Sequence, residues 1–367
     1  MRDSRIEKLA GLLVSYCADV QPGDVVRIRS WPQAAPLVLA VYREVLRAGG
    51  FPWLRLSLDG CDEIFYQEAS DQQLDQIPAI LDFESHHLQG AISIGAQTNL
   101  HELSRIDPKR IARRQKSMEP LWEPFSIPRE LGGVKWVGVE YPTDALAQEA
   151  GMSLSAYEDF LFKACLPDLE NPVGHWRKVH DEQEELKCML DTVNVLKYEG
   201  PQIDLAVSVK DRIWINCDGL ANMPDGEIFT APHEDSCEGW IFFDYPSDYY
   251  GKPVEGVRLE FHQGVVTSFS ALRGEECLKA GIEMDEGARR IGELSFGTNF
   301  GIQVGTRNTL FDEKIGGTIH LALGEAYPES GGTNKSALHW DLISEMKNGS
   351  RVLADGKLIY ENGHFCL

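Results

Sequence analysis

Residues 5–30 read RIEKLAGLLVSYCADVQPGDVVRIRS. Ile6, Leu9, Leu12, Leu13 and Tyr16 recur at the spacing of one helical face, and Pro22-Gly23-Asp24 then turns the chain into the apolar run Val25, Val26, Ile28. This pattern predicts a helix feeding a strand, and the alternation continues downstream. Residues 35–48 read as a helix closed by Gly49-Gly50, residues 52–58 as extended, and residues 90–94 and 133–139 as buried strands. Alternation of this kind favours a largely parallel sheet with flanking helices.

A further helix is expected near residues 155–165, and a long amphipathic one over residues 176–196, at whose end the domain crossing is placed. From Asp204 the texture changes to short strands over residues 204–209, 212–216, 254–262 and 265–272, with one helix around residues 277–287. An Asp355-Gly356 hairpin turn joins two short strands near the C-terminus. The expected fold class is α/β: an N-terminal α/β sheet domain with flanking helices over residues 1–195, then a strand-rich α+β domain over residues 196–367.

The chain has 367 residues, 57 acidic against 35 basic, for a net charge of −22, with 43% apolar and 25% charged residues. That profile fits a globular protein long enough for two cores. Affinity for nucleic acid grows with clustered positive charge, so nucleic acid is not an expected partner. No run of about 18 apolar residues suggests a membrane span, and charges interrupt the N-terminal apolar positions where a signal peptide would need a core. Eight scattered cysteines without a CxxC pair read as reduced thiols, and a cytoplasmic location is expected.

HExxH, GxSxG, GxxxxGK[ST] and GxGxxG are all missing, which excludes the common hydrolase and nucleotide signatures. Ligand-capable residues concentrate instead in the last third. In His339-Trp340-Asp341 alternate positions of an extended segment point one way, so an imidazole and a carboxylate converge. Residues 315–324 form an apolar run with His320 in its middle, preceded by Asp312-Glu313 and followed by Glu325, Tyr327 and Pro328. Glu227 and Glu293 lie in the glycine-rich contexts Pro224-Asp225-Gly226-Glu227 and Gly292-Glu293, where the small neighbour permits close approach to a ligand.

Taken singly, each has a plain structural reading: His320 as a hydrogen-bonded core residue, the HWD pair as a salt-bridged strand, Glu227 as a turn carboxylate, Tyr327 as a loop anchor. Taken together, two imidazoles with several carboxylates suit a borderline-to-hard divalent ion, and enough carboxylates are present for two ions to share one. Two ions sharing a water and polarising a carbonyl form a hydrolase constellation. Glu325, Glu329 and Glu345 read as solvated charges. His86, His87, His175 and His180 read as surface, and His233-Glu234-Asp235-Ser236-Cys237 as a loop beside a cleft.

Seven segments in order carry a resemblance that covers nearly the whole chain. They are KLAGLLVSYCADVQPGDVV, GVEYPTDALAQEAGMSLSAYEDF, DLAVSVKDRIW, NMPDGEIFTAPHEDSCEG, GELSFGTNFGI, LFDEKIGGTIHLALGEAYPESGGTNKSALHWDLI and DGKLIYENG. The chain resembles the aminopeptidase T and aminopeptidase S family of dinuclear metallo-aminopeptidases. The resemblance implies that Glu227, Glu293, Glu313, His320, His339 and Asp341 hold two divalent ions (Zn²⁺, Co²⁺, Mn²⁺ or Mg²⁺), with Glu293 bridging. It implies that Tyr327 steadies the oxyanion, that Glu227 or Glu313 shuttles a proton, and that the protein is a homodimer acting on peptides with a free N-terminus. Glu313 lies seven positions before His320, two more than in some members, which leaves it as a ligand or as an orienter of ligands. Two other readings stand beside this one: a ring-cleaving dioxygenase of dihydroxypyridine type with one Fe²⁺, and a non-catalytic binding protein stabilised by metal.

Overall fold

The structure, a computed structural model, describes residues 3–249 and 252–366. It divides into two compact units, Met1–His175 with Gly219–Pro224, and Trp176–Asp218 with Asp225–Leu367. The division after His175 falls within the first turns of the long helix Pro172–Leu190.

In the first unit the opening helix Ser4–Leu12 is capped by the Asp3 carboxylate, which accepts from the Arg5 amide at 2.8 Å. Its last turn loosens into a π-helical segment, Leu13–Cys17, that keeps Leu13, Val14 and Cys17 buried. The turn at Gly23, with φ +95°, delivers the chain into the strand Val25–Ser30. That strand lies between Phe51–Leu56 and Gly90–Gly95 in a wholly parallel sheet continued by Lys135–Glu140 and the short strand Asn222–Met223. The helix Ala35–Arg47 buries Leu37, Val38, Val41 and Val45 on one face, as its spacing predicts.

The second unit is built from two antiparallel sheets. The larger orders Ser247–Tyr249, Lys252–His262, Glu238–Phe243, Ile203–Ser208, Val195–Gly200, Arg351–Ala354, Lys357–Glu361 and His364–Phe365, with Val265–Arg273 paired to Lys252–His262. The long helix runs Pro172–Leu190 and stops short of the expected residue 196. Asp191 ends it: its carboxylate takes Lys187 Nζ at 3.0 Å and the Trp214 amide at 3.0 Å, and the chain then enters the strand Val195–Gly200. The helix expected at 277–287 likewise ends at Ile282. At the C-terminal hairpin Asp355 and Gly356 both take positive φ, 47° and 85°, the conformation a two-residue turn needs.

The second sheet positions the candidate site. Its order is His339–Glu345, Thr318–Gly324, Ile291–Gly297, Glu227–Thr230, Ile215–Cys217. The three longest strands are buried on both faces, which explains why residues 315–324 read as a continuous apolar run. Alternation then separates two chemistries. Ile228, Leu294, Phe296, Ile319, Leu321, Leu323, Trp340 and Leu342 join a core that also holds Tyr198, Leu205, Trp214, Ile241 and Phe243. Glu227, Glu293, Ser295, His320, His339 and Asp341 occupy the alternate positions, and so share the opposite face. The fold is therefore a mixed α/β one, with a parallel-sheet unit and a strand-rich unit, and no described helix is long and apolar enough to cross a membrane.

Candidate metal centre

Pairing register brings the donors together. Glu293, Ala322 and Asp341 form one cross-strand row, and the small Ala322 between the two acids leaves the space over it open. Ser295 and His320 form the next row, and His339 pairs with Gly324 in the row on the other side. Glu227 enters from the neighbouring strand opposite Gly297.

The glycines beside the two glutamates have a different task from the one their sequence context suggested. A Cβ on Gly292 would stand 2.3 Å from the Glu325 carbonyl and 2.4 Å from that of Gly324, and one on Gly226 2.9 Å from Asn299 Cβ. The close approach is thus to the protein's own backbone and side chains. At Gly292 the pairing with the His320 strand shifts register, a bulge that sets the direction of Glu293.

His320 Nε2 lies 3.2 Å from Glu293 Oε1, 3.5 Å from Glu227 Oε2 and 3.9 Å from Asp341 Oδ1. His339 Nε2 lies 3.4 Å from Glu293 Oε2 and 3.7 Å from Asp341 Oδ1. Each of the two Glu293 oxygens therefore faces a different imidazole. His320 Nδ1 donates to the Glu313 carbonyl at 3.1 Å, and His339 Nδ1 to the Glu325 carbonyl at 2.9 Å. A carbonyl can only accept, so both Nδ1 atoms carry hydrogen and both Nε2 atoms turn to the cluster, the arrangement a metal-ligating histidine requires.

The electrostatics point the same way. Burial disfavours the charged forms of His320 and His339, yet Glu293 and the surrounding carboxylates outweigh it and raise both, to about 10 and about 9. Burial also pushes Asp341 up, helped by Glu313, while at Glu293 the two imidazoles overcome burial and hold the carboxyl below its usual range. A cluster that draws positive charge onto two buried imidazoles is one whose field favours cations. Asp341 Oδ1 is buried and has no hydrogen-bond partner, an orphan acceptor that a bound cation would satisfy.

Four overlapping groups of donors lie close enough to hold an ion: Glu227, Glu293, His320; Glu293, His339, Asp341; Glu313, His320, Asp341; and Cys217, Asp225, Glu227. Five of the six residues implied as ligands thus share one face of one sheet, and Glu313 joins them from the turn that precedes the His320 strand. Tyr327 sits beside them, its ring 5.0 Å from that of His339 and 5.5 Å from that of Phe229. Burial and the four nearby acids keep its phenol far above the normal range, so its hydroxyl is held as a donor.

Sequence reasoning overlooked several participants. Ser295 Oγ donates to Glu227 Oε2 at 3.2 Å. Lys314 Nζ contacts Glu313 Oε1 and lies 3.5 Å from Glu227 Oε1, with its side chain 0% exposed. The Glu325 carboxylate takes Lys335 Nζ and the Ser336 amide, while its carbonyl orients His339, so only its side chain behaves as a surface charge. His233 to Cys237 contribute to none of the described donor groups; Glu234 instead ties Arg212 to Thr333.

Donors of this kind on one buried face are able to hold a divalent ion. Residues 2–365 match the model of the thermophilic metalloprotease (M29) family. Aminopeptidase 2 of Geobacillus stearothermophilus is 28% identical over 410 aligned positions, covering 99% of this chain and 98% of that protein. Aminopeptidase T of Thermus thermophilus is 26% identical, covering 96% and 95%. The solved structure of wild-type AmpT from Thermus thermophilus matches with a TM-score of 0.83 at 23% identity, over 99% of both chains. A 2,5-dihydroxypyridine dioxygenase from Pseudomonas putida shares the fold at a TM-score of 0.58 and 12% identity, over 98% of this chain and 96% of the other.

The chain belongs to the thermophilic metalloprotease (M29) family. It is a metal-dependent hydrolase of peptide bonds, in keeping with the resemblance read from its motifs.

Proposed function

We propose that this protein is an aminopeptidase with two divalent ions, Glu293 being shared between them. The observation that carries the reading is the pair of donor sets, Glu227–Glu293–His320 and Glu293–His339–Asp341, which overlap only at Glu293, each of its oxygens facing one imidazole. The aminopeptidase names of the relatives supply the direction of attack, from the N-terminus of a peptide.

Zn²⁺, Co²⁺, Mn²⁺ or Mg²⁺ bound here would supply Lewis acidity, polarising the scissile carbonyl and acidifying the attacking water. The chain's own residues do the rest. Glu325 and Glu313 hold the two imidazoles through their carbonyls, and Ser295 fixes Glu227. The acidic cluster attracts the free ammonium of a peptide N-terminus. Tyr327 donates to the oxygen on which charge develops. Glu313 serves either as a ligand with His320 and Asp341 or as the group that passes a proton to the leaving nitrogen, a task open also to Glu227.

Dialysis against a chelator should abolish cleavage of unblocked aminoacyl substrates, readdition of Zn²⁺ or Co²⁺ should restore it, and N-acetylated peptides should resist throughout. Full activity in a metal-free sample, or equal cleavage of acetylated substrates, refutes the proposal. Oxygen consumption dependent on an aromatic substrate with a single iron would instead support the dioxygenase reading. Homodimerisation, implied by the resemblance, is checked by light scattering, and the scattered cysteines without a CxxC pair support a cytoplasmic setting.

A further inference from the structure

Among the described residues Lys314 is the one buried lysine, and the reaction as described leaves it without a task. Its backbone is clamped in the turn before the His320 strand: its amide donates to the Phe311 carbonyl at 3.1 Å, and its carbonyl accepts from the Asn299 amide at 3.0 Å. The side chain is fully enclosed, and its ammonium reaches Glu313 Oε1 and Glu227 Oε1. A buried ammonium so paired cannot leave for solvent without stranding its partners. Among the described residues no lysine or arginine forms an ion pair with Glu293 or Asp341, and Asp341 Oδ1 has no hydrogen-bond partner.

The two ends of the donor cluster are therefore unequal. Glu293 and Asp341 present oxygens that face the imidazoles of His320 and His339. Glu227 presents one oxygen to His320 and Ser295 while the other faces a permanent positive charge. A divalent ion held by Glu227, Glu293 and His320 would share the Glu227 carboxylate with the Lys314 ammonium, and in a buried site the repulsion between two cations on one carboxylate would be poorly screened.

We propose that Lys314 is a built-in counter-ion that makes the two ion positions unequal, so that the Glu293–His339–Asp341 end fills first and tightly and the Glu227 end second and weakly. Lys314 is a positioning residue in this account, acting through Glu227 and Glu313. The inference rests on the two-ion reading above and adds an order of filling to it.

Calorimetric titration of Zn²⁺ into the chelator-stripped full chain tests it, with bound metal counted by mass spectrometry after dialysis. Wild type should show two events separated by at least about tenfold in affinity, Lys314→Met should tighten the weaker one by about tenfold or more while moving the first little, and Lys314→Arg should preserve the gap. One retained ion in wild type and two in Lys314→Met supports the proposal in its limiting form. Two ions of equal affinity in wild type overturn it with the two-ion reading intact, and that result needs no variant to fold. An unchanged or weakened second event in a folded Lys314→Met also overturns it. A single ion in both proteins at saturating Zn²⁺ removes the two-ion reading itself, and the inference with it.

Discussion

Ala322 carries no charge and donates nothing, yet its size sets the spacing of the centre, because it separates Glu293 from Asp341 in their cross-strand row. Ala322→Leu would place a branched side chain where the two carboxylates converge. It should cost about 1–3 kcal/mol by overpacking and reduce Zn²⁺ affinity by at least ~10-fold, read from denaturation and metal titration together. Tyr327 is the opposite case: it is 42% exposed, and its hydroxyl can be removed with little disturbance of packing. Tyr327→Phe should lower kcat by about 10²–10³ with KM and metal content near wild type. The ligand types were legible because imidazoles and carboxylates are conspicuous in an apolar strand. Ala322 and Lys314 were not: one matters only through a pairing register that a single strand does not encode, and the other looks like a solvated charge until the turn at 311–315 directs it inward.

At the level of elements, alternation did most of the work that sequence could do. His339 and Asp341 share a face because they lie two apart in a strand, and Trp340 and Leu342 go to the core for the same reason. The bulge at Gly292 was beyond such reasoning, since it depends on the neighbouring strand's carbonyls. Gly292→Ala forces a methyl group against the carbonyls of Gly324 and Glu325, and so against the backbone that orients His339. It should lower stability by about 1–3 kcal/mol and weaken metal binding, whereas alanine substitution of Gly349, which meets nothing within 4 Å but holds φ +81°, should leave metal binding intact. The long helix was overextended in the sequence reading because Val193, Val195 and Leu196 keep an apolar rhythm after Asp191 has ended the hydrogen-bond ladder. A residue that stops a helix by bonding a distant amide leaves no local trace.

For the whole molecule, four carboxylates crowd the metal-free site of the second unit, where Lys314 and two imidazoles raised toward their charged forms take the place of bound cations. Bound ions should therefore stabilise it by mass action, by about 4 kcal/mol at metal concentrations near 1,000 times Kd. Chelation is expected to lower the melting temperature of that transition by ~10 °C, and scanning calorimetry with and without Zn²⁺ measures it. The two-unit α/β plan could be read from helix–strand alternation followed by dense short strands, because each texture reflects a different way of burying a sheet. The exact partition could not, since Gly219–Pro224 returns to the first unit to add a strand.

One sheet is a partition wall, wet chemistry mounted on one side and oily packing on the other. Its studs are the same backbones, so neither room can be refurnished alone. Widening the side chain at Leu321 would shift the strand that carries His320, and stripping the ions would slacken the strands that the interior leans upon. Durability and turnover in this enzyme are in that sense a single inherited trait, and selection for either one would drag the other along.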